Sequence, residues 1–235
     1  KTLEHPTYQP GTQRRPPFHT KQALQRLSAL VRASGAEVVE LPLSLTSMEG
    51  DGNCFYSMLL HQLHHLGMKD IKSVRELRQR YRQYLESKPQ RVVQGFESWL
   101  ESGIDGQIPE PLQTYRDETK AFDLNAYAAR VTVPGSYANG FDIWHILTLF
   151  NLNLGTFVHT PNAKGDGHDV TPEVTSPSGA GCTMIFCVYY RMGADEMGKN
   201  HHYESMMPLG GRQAEKLLGS DHITISFLGV LPQPP

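Results

Sequence analysis

The sequence has few cysteines, little net charge and no long apolar run, and each shortage excludes a class of protein. Three cysteines are too few for a disulfide-stapled scaffold and favour a reducing compartment. A net charge of −2 provides no attraction toward nucleic acid or an anionic membrane, so neither is expected as a partner. The longest apolar run, residues 143–154, is too short and too polar to span a bilayer. We therefore expect a cytoplasmic protein, or one acting in the host cytosol if a pathogen makes it.

Length and proline content suggest how the chain is organised. The 235 residues, 39% of them hydrophobic, are enough for one sizeable core. The chain opens at Lys1 rather than Met and without a signal stretch, which predicts an excised domain or a processed fragment. Residues 1–17 contain four prolines and few apolar residues, and we interpret them as a flexible arm. Residues 18–235 are predicted to form a single domain.

Hydrophobic periodicity predicts helices in the first half of the chain and strands in the second. The predicted helices are residues 20–32, 54–66, 74–85, 90–100, 118–130, 141–150 and 213–218. The predicted strands are residues 152–159, 183–190, 202–207 and 223–228, with residues 37–45 as a short edge strand or extended lead-in. Residues 161–181, rich in Gly, Pro and Ser, are predicted to be a long loop. This order predicts an α+β fold (an α/β sandwich) with one core.

Two of these segments have further expected properties. Residues 183–190 are nearly all apolar or aromatic, which predicts a central strand covered on both faces. The helix at residues 74–85 should be capped by Ser73 and turn its apolar side chains inward. Its arginines are interpreted as a solvated outer face; they are Arg75, Arg78, Arg80 and Arg82.

The stretch 49–60 joins a glycine-bearing turn to the start of an amphipathic helix. Apolar residues at positions 55, 58, 59, 63 and 66 have the spacing of one buried face, and Asp51 and Asn53 stand where an N-cap belongs. Cys54 should then lie at the helix start, where free N–H groups and the helix dipole favour the thiolate. Thiolates at such positions beside a cationic His can have a pKa of ~3.5–7.5. Most helical cysteines are inert and buried, so a nucleophile also requires a base from elsewhere in the chain.

The segment 199–206 supplies that base. Side chains alternate along a strand, so His202 and Glu204 share one face while His201 and Tyr203 share the other. Only His202 then has a carboxylate placed to orient its ring, although Asn200 on the same face is an alternative partner. The competing interpretation is that both histidines are surface residues of a loop. A Cys at a helix start and a His on a distant strand together predict a thiol-protease site.

The residues Asp51-Gly52-Asn53-Cys54-Phe55-Tyr56, taken with His202-Tyr203-Glu204, resemble the ovarian-tumour (OTU) family of cysteine deubiquitinases. Residues 135–143 are similar to the family's turn and following helix. That turn usually reads Trp-Gly-Gly, and here it reads Tyr137-Ala138-Asn139. The resemblance covers roughly residues 41–207. It implies a papain-like fold in which helices flank a mostly antiparallel central sheet.

The resemblance also implies roles for individual residues. Cys54 would be the nucleophile, and His202 the general base and acid. The third member would be Glu204, at the place of the usual Asp or Asn, or Asp51, which some members use. The implied oxyanion hole consists of the backbone N–H groups of Asp51, Gly52 and Cys54. The implied substrate-binding residues are Tyr137, Ala138, Asn139, His201 and Tyr203.

The implied reaction is hydrolysis of the isopeptide bond after the C-terminal glycine of ubiquitin, without a cofactor or a metal. The expected partner is ubiquitin or polyubiquitin. Two alternatives remain: an OTU fold that binds ubiquitin without cutting it, and a protease or transferase for another ubiquitin-like protein. A third, a zinc site at His61, His64 and His65, lacks the Glu that metalloproteases place where Gln62 stands.

Overall fold

The computed structural model describes residues 38–46, 48–101, 115, 122–161, 168–175, 177, 182–190, 202–208 and 223–228. Six strands form one sheet in the order β3-β2-β4-β5-β1-β6. They are β1 (Val38–Thr46), β2 (Leu152–Pro161), β3 (His168–Thr175), β4 (Thr183–Tyr190), β5 (His202–Pro208) and β6 (Ile223–Leu228). Strands β2 and β4 run parallel, and each other neighbouring pair is antiparallel.

The described helices are α1 (Cys54–His65), α2 (Val74–Ser87), α3 (Pro89–Glu101), α4 (Leu124–Val131) and α5 (Gly140–Phe150). Helix α1 packs against β5, and α5 packs against β2, so the helical layer covers one face of the sheet. The predicted α+β class with a mostly antiparallel sheet is therefore confirmed. Within the described part of the chain, no helix has both the length and the apolar character needed to cross a membrane.

Most predicted elements are present. The structure confirms the strands predicted at residues 152–159, 183–190, 202–207 and 223–228, as well as the helices predicted at 74–85, 90–100 and 141–150. Strand β4 is central, with Ile185–Val188 all buried, as a strand covered on both faces requires. Ser73 caps α2 by accepting a hydrogen bond from the Glu76 amide. The predictions for residues 1–17, 20–32 and 213–218 lie outside the described residues.

Three predictions about secondary-structure elements are wrong. Residues 161–181 are not all loop, because β3 lies within them and forms an antiparallel pair with β2. Residues 37–45 do not form an edge strand, because β1 pairs with β5 on one side and β6 on the other. The helix predicted at 118–130 is not continuous, because Phe122 and Asp123 are not helical; α4 begins at Leu124, where the Asp123 side chain accepts a hydrogen bond from the Ala126 amide and caps the first turn, and residues 118–121 lie outside the described residues.

The main core lies between the helices and the sheet. Helix α1 contributes the four predicted side chains Phe55, Met58, Leu59 and Leu63, whereas the predicted fifth, Leu66, is 38% exposed just beyond the helix end. From the other side come Leu152 and Leu154 of β2, and Ile185 and Cys187 of β4. Cys54 belongs to this core as well, so the helix that carries it is held firmly in place.

A buried carboxylate joins three of the helices. Asp142 of α5 is fully buried and accepts hydrogen bonds from the hydroxyls of Tyr127 on α4 (2.6 Å) and Tyr81 on α2 (3.3 Å). It also pairs with Arg130, and with Asn139 it forms a capping box at the start of α5. These bonds fix the turn at residues 132–139, which lies against the loop before Cys54.

Candidate active site

Cys54 is the first residue of α1 and is 2% exposed. The residue before it, Asn53, occupies the N-cap position, but its side chain makes no capping bond to the helix. Instead, Asn53 Oδ1 accepts hydrogen bonds from Arg78 Nη2 (2.7 Å) and from the Gly135 amide (3.3 Å). Its own amides donate to the Asp51 carboxylate at 2.9 and 2.8 Å. Asn53 therefore ties the loop before the cysteine to the turn at residues 132–139.

Two glycines let this loop and this turn approach closely. Gly52 has φ +80°, and a Cβ there would lie 2.1 Å from the Gly135 carbonyl oxygen. Gly135 has φ +75°, and a Cβ there would lie 3.2 Å from the Asp51 carbonyl oxygen. The Asp51 carbonyl thus faces the turn. Because the peptide bond is planar and trans, the Gly52 N–H points the opposite way, away from the turn.

Arg78 lies beneath this contact and is 2% exposed, so its prediction as part of a solvated face is wrong. Its Nη1 donates to the Val131 carbonyl (2.8 Å), and its Nη2 lies within hydrogen-bonding distance of the Ser136 carbonyl (2.7 Å) as well as Asn53. The guanidinium carbon is 3.8 Å from the centre of the Tyr56 ring. A buried arginine therefore contacts the pre-cysteine loop, the turn and α1 at once.

His202 is the first residue of β5, and the predicted alternation holds there. Its Nε2 is 3.9 Å from Glu204 Oε1 on the same face, and Glu204 is 2% exposed. The Tyr190 hydroxyl donates to Glu204 Oε2 (3.2 Å), and the Tyr190 ring lies nearly parallel to the His202 ring. Tyr203 faces the opposite way, toward Phe55 of α1.

The cysteine sulfur lies against β5. Burial raises the pKa of the Cys54 thiol above its ordinary value, and a backbone hydrogen bond from Tyr203 opposes this only in part. Burial likewise lowers the pKa of His202, against the charges of Glu204 and Asp51. Asp51 also raises the pKa of Cys54, so its charge acts on both groups. The expected low-pKa thiolate is wrong for this structure, because burial outweighs the helix start.

The remaining predicted residues differ in their surroundings. Tyr137 is 39% exposed, Ala138 packs against the core, and Asn139 caps α5. Asn200 and His201 lie outside the described residues. The histidines of α1 have separate neighbours: His61 Nδ1 is 3.0 Å from Ser205 Oγ, and His64 contacts the Ile71 carbonyl. Across the described ranges, no three His, Cys, Asp or Glu side chains form a group able to hold a metal ion.

Sequence inspection missed two residues of this site. For Arg78 a signal existed, because positions 74, 77, 78, 81 and 85 follow the spacing of a buried helix face. We predicted a solvated Arg78 because arginine is charged, although its position belongs to the buried face of the helix. For Tyr190 no signal existed, because its place opposite His202 depends on the register between β4 and β5.

The chain is similar to several solved structures. One is the OTU domain protease of Qalyub virus, with 15% identity, a TM-score of 0.46, and coverage of 74% of this chain and 91% of that one. Another is a Wolbachia pipientis wMel deubiquitinase bound to ubiquitin, with 10% identity, a TM-score of 0.42, and coverage of 71% and 96%. A third is the OTU domain of OTUD1, with 12% identity, a TM-score of 0.40, and coverage of 79% and 94%. All three are OTU domains.

No protein-family model matches the chain, and no curated protein sequence matches it. At this level of similarity, the assignment of chemistry depends on the site residues themselves.

Proposed function

We propose that this protein is a thiol-dependent deubiquitinase that hydrolyses the isopeptide bond after the C-terminal glycine of ubiquitin. One observation carries the proposal: the Cys54 sulfur, at the start of α1, accepts a backbone hydrogen bond from Tyr203, the neighbour of His202. Glu204 lies beside the His202 ring. A thiol, an imidazole and a carboxylate at one end of the α1–β5 contact are the groups that acyl transfer through a cysteine requires. The Asp-Gly-Asn-Cys and His-Tyr-Glu motifs supply the substrate class.

The proposed reaction starts from a neutral pair. As Cys54 Sγ attacks the glycine carbonyl carbon, His202 accepts the thiol proton and Glu204 holds the resulting imidazolium. The backbone N–H groups of Asp51, Gly52 and Cys54 stabilise the oxyanion. The tetrahedral intermediate then collapses to a thioester, and His202 gives its proton to the departing lysine amine.

Water completes the cycle. His202, neutral again, takes a proton from a water molecule that attacks the thioester carbon. The C–S bond breaks, ubiquitin leaves with a free C-terminal carboxylate, and the sulfur recovers its proton. We place this reaction in a reducing compartment, because the nucleophilic sulfur must stay unoxidised.

A ubiquitin probe with a C-terminal electrophile tests the proposal. The wild-type protein should form a covalent adduct that peptide mapping assigns to Cys54, and Cys54→Ala should form none while remaining folded. Cys182→Ser is the matched control, because the Cys182 thiol is more exposed than that of Cys54 and hydrogen-bonds to Asn151. An adduct that persists in Cys54→Ala would refute the mechanism.

The same probe separates the alternatives. A folded wild-type protein that binds ubiquitin but never forms an adduct would be a binding module. Adducts with probes built on other ubiquitin-like proteins, but not with ubiquitin, would indicate a protease for those proteins. Cleavage of differently linked di-ubiquitins then determines whether polyubiquitin is a substrate and which linkage is preferred.

A further inference from the structure

We infer that Arg78 is a positioning residue that holds the pre-cysteine loop (residues 51–53) in the conformation that can stabilise an oxyanion. The inference rests on the function proposed above. Arg78 lies on α2, contacts no reacting atom, and acts only through the backbone and side chains that it binds.

Arg78 lies within hydrogen-bonding distance of four acceptors. Arg78 Nη2 lies 2.7 Å from Asn53 Oδ1, 2.7 Å from the Ser136 carbonyl and 3.5 Å from the Gly52 carbonyl. Nη1 donates to the Val131 carbonyl at 2.8 Å. One planar guanidinium therefore joins the loop to Ser136 within the turn at residues 132–139 and to Val131 just before it. A lysine ammonium carries the same charge but lacks this rigid fork.

The peptide groups of the pre-cysteine loop have defined directions. The Gly52 carbonyl is directed toward Arg78 and the Asp51 carbonyl toward Gly135. Since each N–H points opposite to the carbonyl of its own peptide group, the Gly52 N–H, which shares a peptide group with the Asp51 carbonyl, is directed away from Gly135. Its direction therefore depends on the contact between loop and turn, which Arg78 holds together through Asn53 Oδ1 and the Ser136 carbonyl. Oxyanion donors work through fixed direction, and a displacement of about 1 Å can reduce turnover by about 10²-fold.

The guanidinium of Arg78 is buried. Arg78 is 2% exposed and Leu77 beside it is fully buried, while the ring of Tyr56 covers the guanidinium. Water therefore competes little for the Arg78 donors, and the bonds hold more strongly than surface bonds would. By contrast, Arg82 on the same helix has a 43% exposed side chain and pairs with Glu86 across one helical turn. Arg82 is thus a matched control on the same element.

The kinetic test compares Arg78→Lys with Arg82→Lys. Turnover (kcat and KM) is measured with ubiquitin that carries a C-terminal aminocoumarin amide. The reactivity of the sulfur is measured as the rate at which iodoacetamide alkylates Cys54, quantified by peptide mapping. Alkylation displaces iodide without forming an oxyanion, so it reports the sulfur alone. Arg78→Lys should lower kcat by about 10²-fold, the effect of losing one oxyanion donor. It should leave KM and the Cys54 alkylation rate near their wild-type values, and Arg82→Lys should change none of the three.

A second measurement needs no activity. The Gly135 amide donates to Asn53 Oδ1, so its hydrogen exchange reports the contact between loop and turn. Exchange at Gly135 should accelerate in Arg78→Lys and stay unchanged in Arg82→Lys. If the wild type does not hydrolyse the ubiquitin amide, the proposed function fails, and exchange still decides whether Arg78 holds the loop.

A wild-type kcat in Arg78→Lys would overturn the inference, and so would unchanged exchange at Gly135. A third contradicting outcome is a fall in kcat that is matched by the same fold-decrease in the alkylation rate and accompanied by a lower Tm. The last would mean that Arg78 stabilises the fold without positioning the loop.

Discussion

The thiol of Cys54 and the imidazole of His202 are each held in their neutral form by burial. Burial disfavours the thiolate of Cys54, and it also disfavours the imidazolium of His202. The proton is therefore expected to move only while the sulfur attacks the substrate carbonyl, when the developing charges stabilise each other. The two acidic residues nearby, Asp51 and Glu204, then set how costly that transfer is.

Charge removal at Glu204 and Asp51 should have different effects on pH profiles. Both carboxylates raise the pKa of His202 against burial, so Glu204→Gln and Asp51→Asn should each lower it. In the proposed mechanism, activity requires neutral His202 and should be lost as the pH falls through the pKa of this residue. The acid limb of kcat/KM should therefore move to lower pH in both variants.

The alkylation profile of Cys54 distinguishes the two variants. Asp51 raises the thiol pKa, so Asp51→Asn should shift the rise in alkylation rate to lower pH, while Glu204→Gln should leave it in place. Glu86→Gln, an exposed position on α2, is the control for both profiles. An acid limb that moves to higher pH in Glu204→Gln would contradict the assigned role of this carboxylate.

At the scale of elements, the loop before α1 can approach the turn at residues 132–139 because Gly52 has no side chain. Gly52 and Gly67 both have positive φ, +80° and +87°, but only Gly52 faces another backbone. Alanine should cost about 1–2 kcal/mol at either site through backbone strain. At Gly52 the added methyl group would also overlap the Gly135 carbonyl, so the loop must move.

Gly52→Ala should therefore lose ubiquitin-probe adduct formation, whereas Gly67→Ala should lose stability and keep the adduct. Urea unfolding and the rate of adduct formation measure the two effects separately. Equal adduct rates in the two variants would show that the contact between loop and turn has no role in the reaction.

Local patterns predict elements but not the contacts between them. The helix at Cys54 follows from the spacing of Phe55, Met58 and Leu59, because one turn of helix determines that spacing. The parity of His202 and Glu204 follows in the same way from the strand period. The contact between Gly52 and Gly135 joins residues far apart in sequence, and no local period contains that information. Arg78 shows the intermediate case, in which the pattern was present and the residue's charge obscured it.

At the scale of the whole molecule, His145 makes stability depend on pH. It is 5% exposed on α5, beside the rings of Phe141 and Tyr84, and burial lowers its pKa to about 4. In the unfolded chain its pKa returns to about 6.5. Between these two values the unfolded chain binds more protons than the folded protein, so the free energy of unfolding decreases as the pH falls.

The expected loss between pH 7 and pH 4 is about 3 kcal/mol for this one group. Urea unfolding at several pH values should show that His145→Leu is less sensitive to acid than the wild type. His65→Gln, at an exposed position on α1, should behave like the wild type. If the free energy of unfolding of His145→Leu falls with pH as much as that of the wild type, other groups cause the acid sensitivity.

The sheet order was also beyond prediction from local patterns. The weak alternation in residues 37–45 predicted a short edge strand or an extended lead-in, and it carries no information about which strands pair with them. Their partners, β5 and β6, come from the other end of the sequence. Strand β3 was missed for a related reason: its Pro172 and the Gly-rich and Pro-rich residues around it are typical of loops.

The place of β1 has a consequence during synthesis. A ribosome releases β1 and the cysteine helix before the other described elements, yet the two neighbours of β1 in the sheet, β5 and β6, emerge after all of them. Until they arrive, β1 has no partner strand to complete the middle of the sheet, and His202 is still untranslated. A chain released only as far as β4 thus carries Cys54 without His202, and the activity proposed above would require the release of β5 as well.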